Sequence, residues 1–229
     1  MAAQETQEPQ EPRQTQETQG TQEPRQAQRV QRAQEAQKAQ KPQRFTTRLI
    51  ARTGMIAAVY AALTILALTL LQGLAWGPIQ LRISEAVCVL ALLTRAGIPG
   101  LTIGCIIANL VGIALTGSGA LGLLDVVCGS LATFLGAFWA WKLRERPNIA
   151  LLGPVIANAL IVAAYLPLML AAYGFYTVPF TEISLVDSYP LMYFFGVVAI
   201  GIGEAIVVYA LGLPLLKALK KLNIFTGEG

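Results

Sequence analysis

Glu85, Asp125 and Glu204 are acids that fall within otherwise apolar sequence, and Arg82, Gln80, Ser84, Asn109, Asn158 and Tyr165 lie in or beside the same stretches. A carboxylate at the centre of a membrane helix costs about 2.5–3.5 kcal/mol on insertion scales, so each needs a partner or a task. Together these residue types can read the edge of a planar polar ligand. A carboxylate accepts from two adjacent donors, an amide or guanidinium donates to a carbonyl, and an aromatic ring stacks on the plane. Asn158 and Tyr165 are seven residues apart, two helical turns, and so share a face. The structural alternative has the groups satisfy one another: Glu85 with Arg82, Asp125 capping a helix, the asparagines bonding across helices. Both readings stand at this point.

Other chemistry is excluded by what the chain lacks. There is no histidine, and Cys88, Cys105 and Cys128 lie in apolar stretches at spacings that match no metal knuckle, so neither histidine catalysis nor a Cys/His zinc site is expected. The three thiols form no disulfide framework and read as small packing residues. No GxxxxGK[ST] string occurs, so ATP, if used, is hydrolysed by another protein. No catalytic residue, metal or cofactor is expected.

The elements that position these groups follow from composition. Of 229 residues, 55% are apolar and 13% charged, with a mean hydropathy of +0.56; a soluble domain carries about 25% charge. Residues 45–229 therefore read as an all-α membrane protein. Uncharged runs split at Gly, Pro and polar clusters give six candidate spans at about 49–72, 80–95, 97–116, 121–141, 149–172 and 191–214. The second is the shortest and is expected to tilt or to be partly re-entrant.

Ten bases (Arg44, Arg48, Arg52, Arg95, Lys142, Arg144, Arg146, Lys217, Lys220 and Lys221) fall on one side of this topology and only Arg82 on the other. That asymmetry predicts cytoplasmic termini. Glu85, Asn109, Asp125 and Tyr165 then share the outer half of the bilayer below Arg82, Gln80 and Ser84, an arrangement that opens outward. The outer loop FYTVPFTEISLVDSYP and its surroundings carry Tyr173, Phe175, Tyr176, Phe180, Tyr189 and Tyr193, an interfacial belt or a stacking lid.

Residues 1–44 hold fourteen glutamines in drifting repeats, with six acids and seven bases. Such a segment cannot build a core and is expected to be a disordered cytoplasmic tail, transiently helical at most over 26–40. Its charge balance argues against nucleic acid as a partner, and it has no secretion-signal pattern. In the first span, Ala57, Ala58, Ala61 and Ala62 form two overlapping AxxxA steps, the kind of small-residue stripe that lets another helix approach closely.

The runs GPIQLRISEAVCVL (77–90), IPGLTIGCIIANL (98–110), GLLDVVCGSLATFLGA (122–137) and GPVIANALIVAAYL (153–166) together resemble the queuosine-precursor transporter (QueT) family, whose members are substrate-binding S components of energy-coupling-factor importers. The resemblance covers about 45–229, and GPIQLRISEA is its most specific part; the glutamine-rich tail has no counterpart in it. It implies a six-helix S component that captures a 7-deazaguanine base such as 7-aminomethyl-7-deazaguanine. It implies partnership with a membrane coupling subunit and two ATPase subunits, with Ala57, Ala58, Ala61 and Ala62 as the docking stripe.

On that reading Glu85 is the first choice to accept the base's adjacent N–H and NH₂ donors. Asp125 or Glu204 would meet an aminomethyl ammonium, Asn109, Asn158, Arg82 and Gln80 would complete the edge, and Tyr165 or a loop aromatic would stack. Two alternatives remain: an S component for another vitamin or nucleobase, and a stand-alone secondary transporter in which Glu204 and Asp125 carry protons.

Overall fold

A computed structural model describes residues 23–70, 82–172, 177, 182, 184 and 188–222, with side chains described from Thr47. The chain divides into two compact units, Met1–Arg48 and Leu49–Gly229. In the first unit the described backbone, from Glu23 onward, is helical. The Ala, Gln, Glu, Lys and Arg that fill QAQRVQRAQEAQKAQK carry high helix propensity.

The second unit is all helical among its described residues, apart from an isolated antiparallel bridge between Thr177 and Ser184. Helix α1 (Glu23–Leu70) supplies the apolar stretch Thr47–Leu70. Helix α2 is Gly97–Thr116, α3 Gly119–Lys142, α4 Leu152–Ala172 and α5 Tyr189–Lys221. Among the described residues, five helical stretches are long and apolar enough to cross a membrane. Three of these helices are irregular. Pro167 sits inside α4, where it removes a backbone donor, while α3 and α5 each contain a π-helical stretch, Asp125–Gly129 and Ile206–Gly212.

The second candidate span of the sequence takes a different form. Ile83–Leu92 is a ten-residue 3₁₀ helix in which nine residues are buried. At about 2.0 Å per residue it covers about 20 Å, some two thirds of a hydrocarbon core of about 30 Å. It packs against the π-helical stretch and last turns of α5 and against α2 and α3, so it has no lipid-facing side. A threefold repeat brings residues i and i+3 into line. Arg82, Glu85 and Cys88 thereby fall along one ridge, which an α-helical turn of 3.6 residues would splay.

Glycine sets how closely these helices approach. A Cβ on Gly104 would lie 2.8 Å from the Ala57 carbonyl oxygen and 2.9 Å from Tyr60 Cβ, and one on Gly100 would lie 2.8 Å from Ile56 Cβ. Gly136 and Gly153 play the same part between α3 and α4. Gly104→Ala is therefore expected to force α1 and α2 apart at a cost of about 1–3 kcal/mol. In a thermal melt of the detergent-purified protein this reads as a fall in Tm of about 5 °C. Gly54→Ala, on the outward face of α1 with nothing within 4 Å of the added methyl, should leave Tm unchanged or raise it.

Two buried apolar clusters flank the centre of the bundle. One gathers Ile56, Tyr60, Val89, Leu101, Leu151, Val208 and Leu216 around the 3₁₀ helix. The other gathers Val162, Leu166, Met169, Met192 and Ile200 between α4 and α5. The buried acids and amides are set between helices that these clusters hold in register.

Candidate functional site

Seven of the eight side chains singled out for binding can be placed; Gln80 lies outside the described residues. Glu85, Asn109, Asp125, Asn158, Tyr165 and Glu204 are all buried, and Arg82 is nearly so. Expensive groups are thus gathered inward from five segments, as their cost in lipid requires.

Three groups result. In the first, Asp125 accepts a hydrogen bond from the Tyr165 hydroxyl at 2.6 Å and lies 3.9 Å from the Arg82 guanidinium. Asn109 donates to the Asp125 backbone carbonyl at 2.7 Å. Asp125 opens the π-helical stretch of α3, where the wide turn alters the usual backbone pairing and leaves room for a side-chain donor. Gly129 ends that stretch. A Cβ there would lie 3.3 Å from Asn109 Nδ2, 3.5 Å from the Tyr165 hydroxyl and 3.7 Å from Asp125 Oδ1, so its bareness lets the three meet.

In the second group Glu85 accepts from the Tyr60 hydroxyl on one oxygen and from the Cys88 thiol at 2.9 Å on the other. In the third, Asn158 donates to Glu204 at 2.9 Å. Glu204 sits two residues before the π-helical stretch of α5. A widened turn therefore adjoins an acid of the site in both α3 and α5, a placement frequent at functional sites.

Arg82 connects the groups. It faces Asp125 on one side, and on the other it lines a small cavity with Asn158, Val162, Ile200 and Glu204. That cavity holds about 10 Å³, room for about one water molecule. A bicyclic ligand enters it only if the surrounding helices part.

The pairing differs from that expected. Arg82 meets Asp125 rather than Glu85, because Asp125 does not cap α3 but lies within it, facing the bundle. Of the residues that hold Glu85, Tyr60 was not singled out from sequence and Cys88 was read only as a packing residue; Gly129 was not singled out either. Cys88 stands three residues after Glu85, the one signal that foretold their contact.

Among the loop aromatics, Tyr173, Phe175, Tyr176 and Phe180 lie outside the described residues. Tyr189 and Tyr193 stack on each other at 6.5 Å and direct their hydroxyls to the carbonyls of Ala164 and Leu160 on α4. They fasten α5 to α4.

The alanine stripe of α1 is divided. Ala57 and Ala61 are 4% and 6% exposed, and Ala57 meets Gly104 of α2. Ala58 and Ala62 face outward. Adjacent residues on a helix point about 100° apart, so a helix packed on Ala57 leaves Ala58 and Ala62 turned away from it. With Gly54, the outward positions form a small-residue line at four-residue spacing.

Among the described residues no group of three or more His, Cys, Asp or Glu is placed to hold a metal ion. Compared with known proteins, residues 50–221 match the family model described as QueT transporter. No curated protein and no solved structure matches the chain.

Proposed function

Because the chain belongs to the QueT transporter family, we propose that it is the substrate-binding S component of an energy-coupling-factor importer, and that it captures a queuosine precursor, a 7-deazaguanine base such as 7-aminomethyl-7-deazaguanine. The observation that carries this reading is the convergence of Arg82, Glu85, Asp125, Asn158 and Glu204 inside the bundle. A guanine-type edge presents two adjacent donors and a carbonyl, which call for a carboxylate beside a cationic or amide donor. Glu85 supplies the first, while Arg82 and Asn158 supply the second. Asn109 and Tyr165 act one step back by fixing Asp125, which in turn orients Arg82. Gln80 stays a candidate on sequence grounds.

In this reading the 3₁₀ helix is the short sixth crossing, which leaves both termini cytoplasmic. A membrane coupling subunit and two ATPase subunits drive uptake, since the chain has no phosphate-binding loop. Docking falls to Ala58 and Ala62 with Gly54, the part of the stripe not used internally. Ala58→Trp should leave ligand affinity of the isolated protein unchanged and lower uptake at least tenfold in cells that contain the coupling module. Unimpaired uptake would remove this face from the interface.

The test of the substrate is calorimetry on the detergent-purified full chain with 7-aminomethyl-7-deazaguanine, its nitrile analogue, guanine and thiamin. Binding of a deazaguanine with guanine much weaker supports the reading. Failure of folded protein to bind either deazaguanine overturns it in favour of another vitamin or base. The burial of Glu204 and Asp125 inside the bundle favours a second reading, a proton-coupled transporter acting alone, which requires gradient-dependent uptake in cells without coupling subunits.

A further inference from the structure

Trp141, in the last turn of α3, carries two cations. The Arg144 guanidinium lies 4.1 Å from its ring centre and that of Arg95 5.6 Å from it. Arg95 comes from the turn between the 3₁₀ helix and α2, and Arg144 from just past the end of α3, where it also donates to the Trp141 carbonyl at 3.3 Å. Lys142 lies over the Phe138 ring at 5.4 Å. Attraction to a ring face offsets part of the repulsion among these charges without neutralising them. None of Arg95, Lys142 and Arg144 is in a salt bridge among the described residues, although Glu145 stands beside them in sequence and is exposed.

The same cations border an apolar face. Phe134, Phe138 and Lys142 follow at four-residue spacing and share one side of α3. The two phenyl rings stack at 6.3 Å and are exposed, as are Leu131 and Leu135 beside them. Trp141, half-buried, stands one turn on from Phe138, where Arg95 reaches across to α3.

We propose that this corner of the bundle binds an anionic phospholipid, with its phosphate held by Arg95, Lys142 and Arg144 and an acyl chain lying along Phe138 and Phe134. A guanidinium stacked on an indole is already oriented, and its fork of N–H donors matches phosphate oxygens. An anionic head joined to apolar chains is the ligand that meets both halves of the surface. A free phosphate leaves the aromatic face unused, and an acidic protein segment supplies the charge without the chain. The bound lipid would also link Arg95 to α3, fastening the end of the short 3₁₀ helix to a long one. The inference needs only that α3 lies in a membrane and is independent of what the buried acids bind.

The test is native mass spectrometry of the detergent-purified full chain with dioleoyl-phosphatidylglycerol and dioleoyl-phosphatidylcholine, which share their chains and differ in charge. The first phosphatidylglycerol should bind at least tenfold more tightly than phosphatidylcholine and raise Tm, and millimolar inorganic phosphate should not displace it. One basic residue beside anionic lipid contributes about fivefold in affinity, so Arg95→Gln with Arg144→Gln should bring the two lipids within about threefold of each other. Lys220→Gln with Lys221→Gln removes the same charge from exposed positions of α5 and should leave the preference in place. Equal binding of the two lipids by the unmodified chain overturns the site, and an equal loss in the Lys220 and Lys221 variant overturns it in favour of diffuse attraction. Displacement by inorganic phosphate would make it a free-anion site. Lipid preference unchanged in the arginine variant, with uptake lost, would assign the cations to a protein partner and overturn the lipid. Melting curves in detergent check each fold; if the double arginine variant does not fold, Arg95→Gln alone, at an exposed position, decides by a loss of at least about threefold.

Discussion

Glu85→Gln is expected to weaken deazaguanine binding by at least about 100-fold while the protein stays folded. The substitution keeps shape and an oxygen that can still accept from Tyr60, so the internal support of the side chain survives in part. What is lost is a charged acceptor at a position 1% exposed. Each hydrogen bond to a charged group contributes about 1.5–3 kcal/mol, and two such bonds to adjacent donors amount to a factor of about 10² or more in affinity. The amide Nε2 also presents donors where the ligand presents donors, which adds a repulsive contact. Calorimetry on the variant checks this, with a melting curve to confirm the fold. Unchanged affinity would assign Glu85 to holding Tyr60 and Cys88 alone.

The second large effect concerns stability. Asp125→Ala removes the counter-charge of Arg82 and the acceptor of the Tyr165 hydroxyl together. Leaving a buried ion without its partner costs about 3 kcal/mol or more, so Tm in detergent should fall by roughly 6–12 °C. The expected signature is non-additivity. Arg82→Met alone leaves Asp125 with Tyr165 but without its cation, and the double variant removes both charges. The double variant should therefore melt above the Asp125→Ala protein, with a coupling of about 1–3 kcal/mol in the cycle. Strict additivity would mean that the 3.9 Å separation carries no energetic coupling.

Much of this architecture is legible in the sequence because hydrocarbon leaves few options. Each long apolar run became a helix close to its expected bounds, the last running seven residues further to Lys221, and Asn109, Asp125, Asn158 and Glu204 within them turned inward. Partners were harder to read. Arg82 and Glu85 are three residues apart and look like a local pair, yet the guanidinium turns to an acid more than forty positions away. Only packing in three dimensions decides that choice. The form of the second span was equally hidden: VCVLALL suits an α-helix and a 3₁₀ helix alike, and the tighter winding accompanies the close approach of Gly97 to the backbone of Ala91. The alanines of α1 carried the right signal in excess, since spacing marks small faces without saying which of two faces the protein uses for itself.

A 3₁₀ helix buried on all sides has a consequence for how the chain is made. Ile83–Leu92 is polymerised before Gly97–Lys221, the part of the chain that encloses it, and it carries Glu85 with no lipid-compatible face. It is too short to partition into the bilayer by its own hydrophobicity. Its Tyr60 neighbour is already made, but the helices that pack along it, and above all the π-helical stretch of α5, are synthesised last. Insertion of this segment is therefore subordinate to the rest of the protein: it can be only a provisional guest at the membrane until the C-terminal helix arrives. Translation of the final span becomes the event that commits the whole chain to its topology.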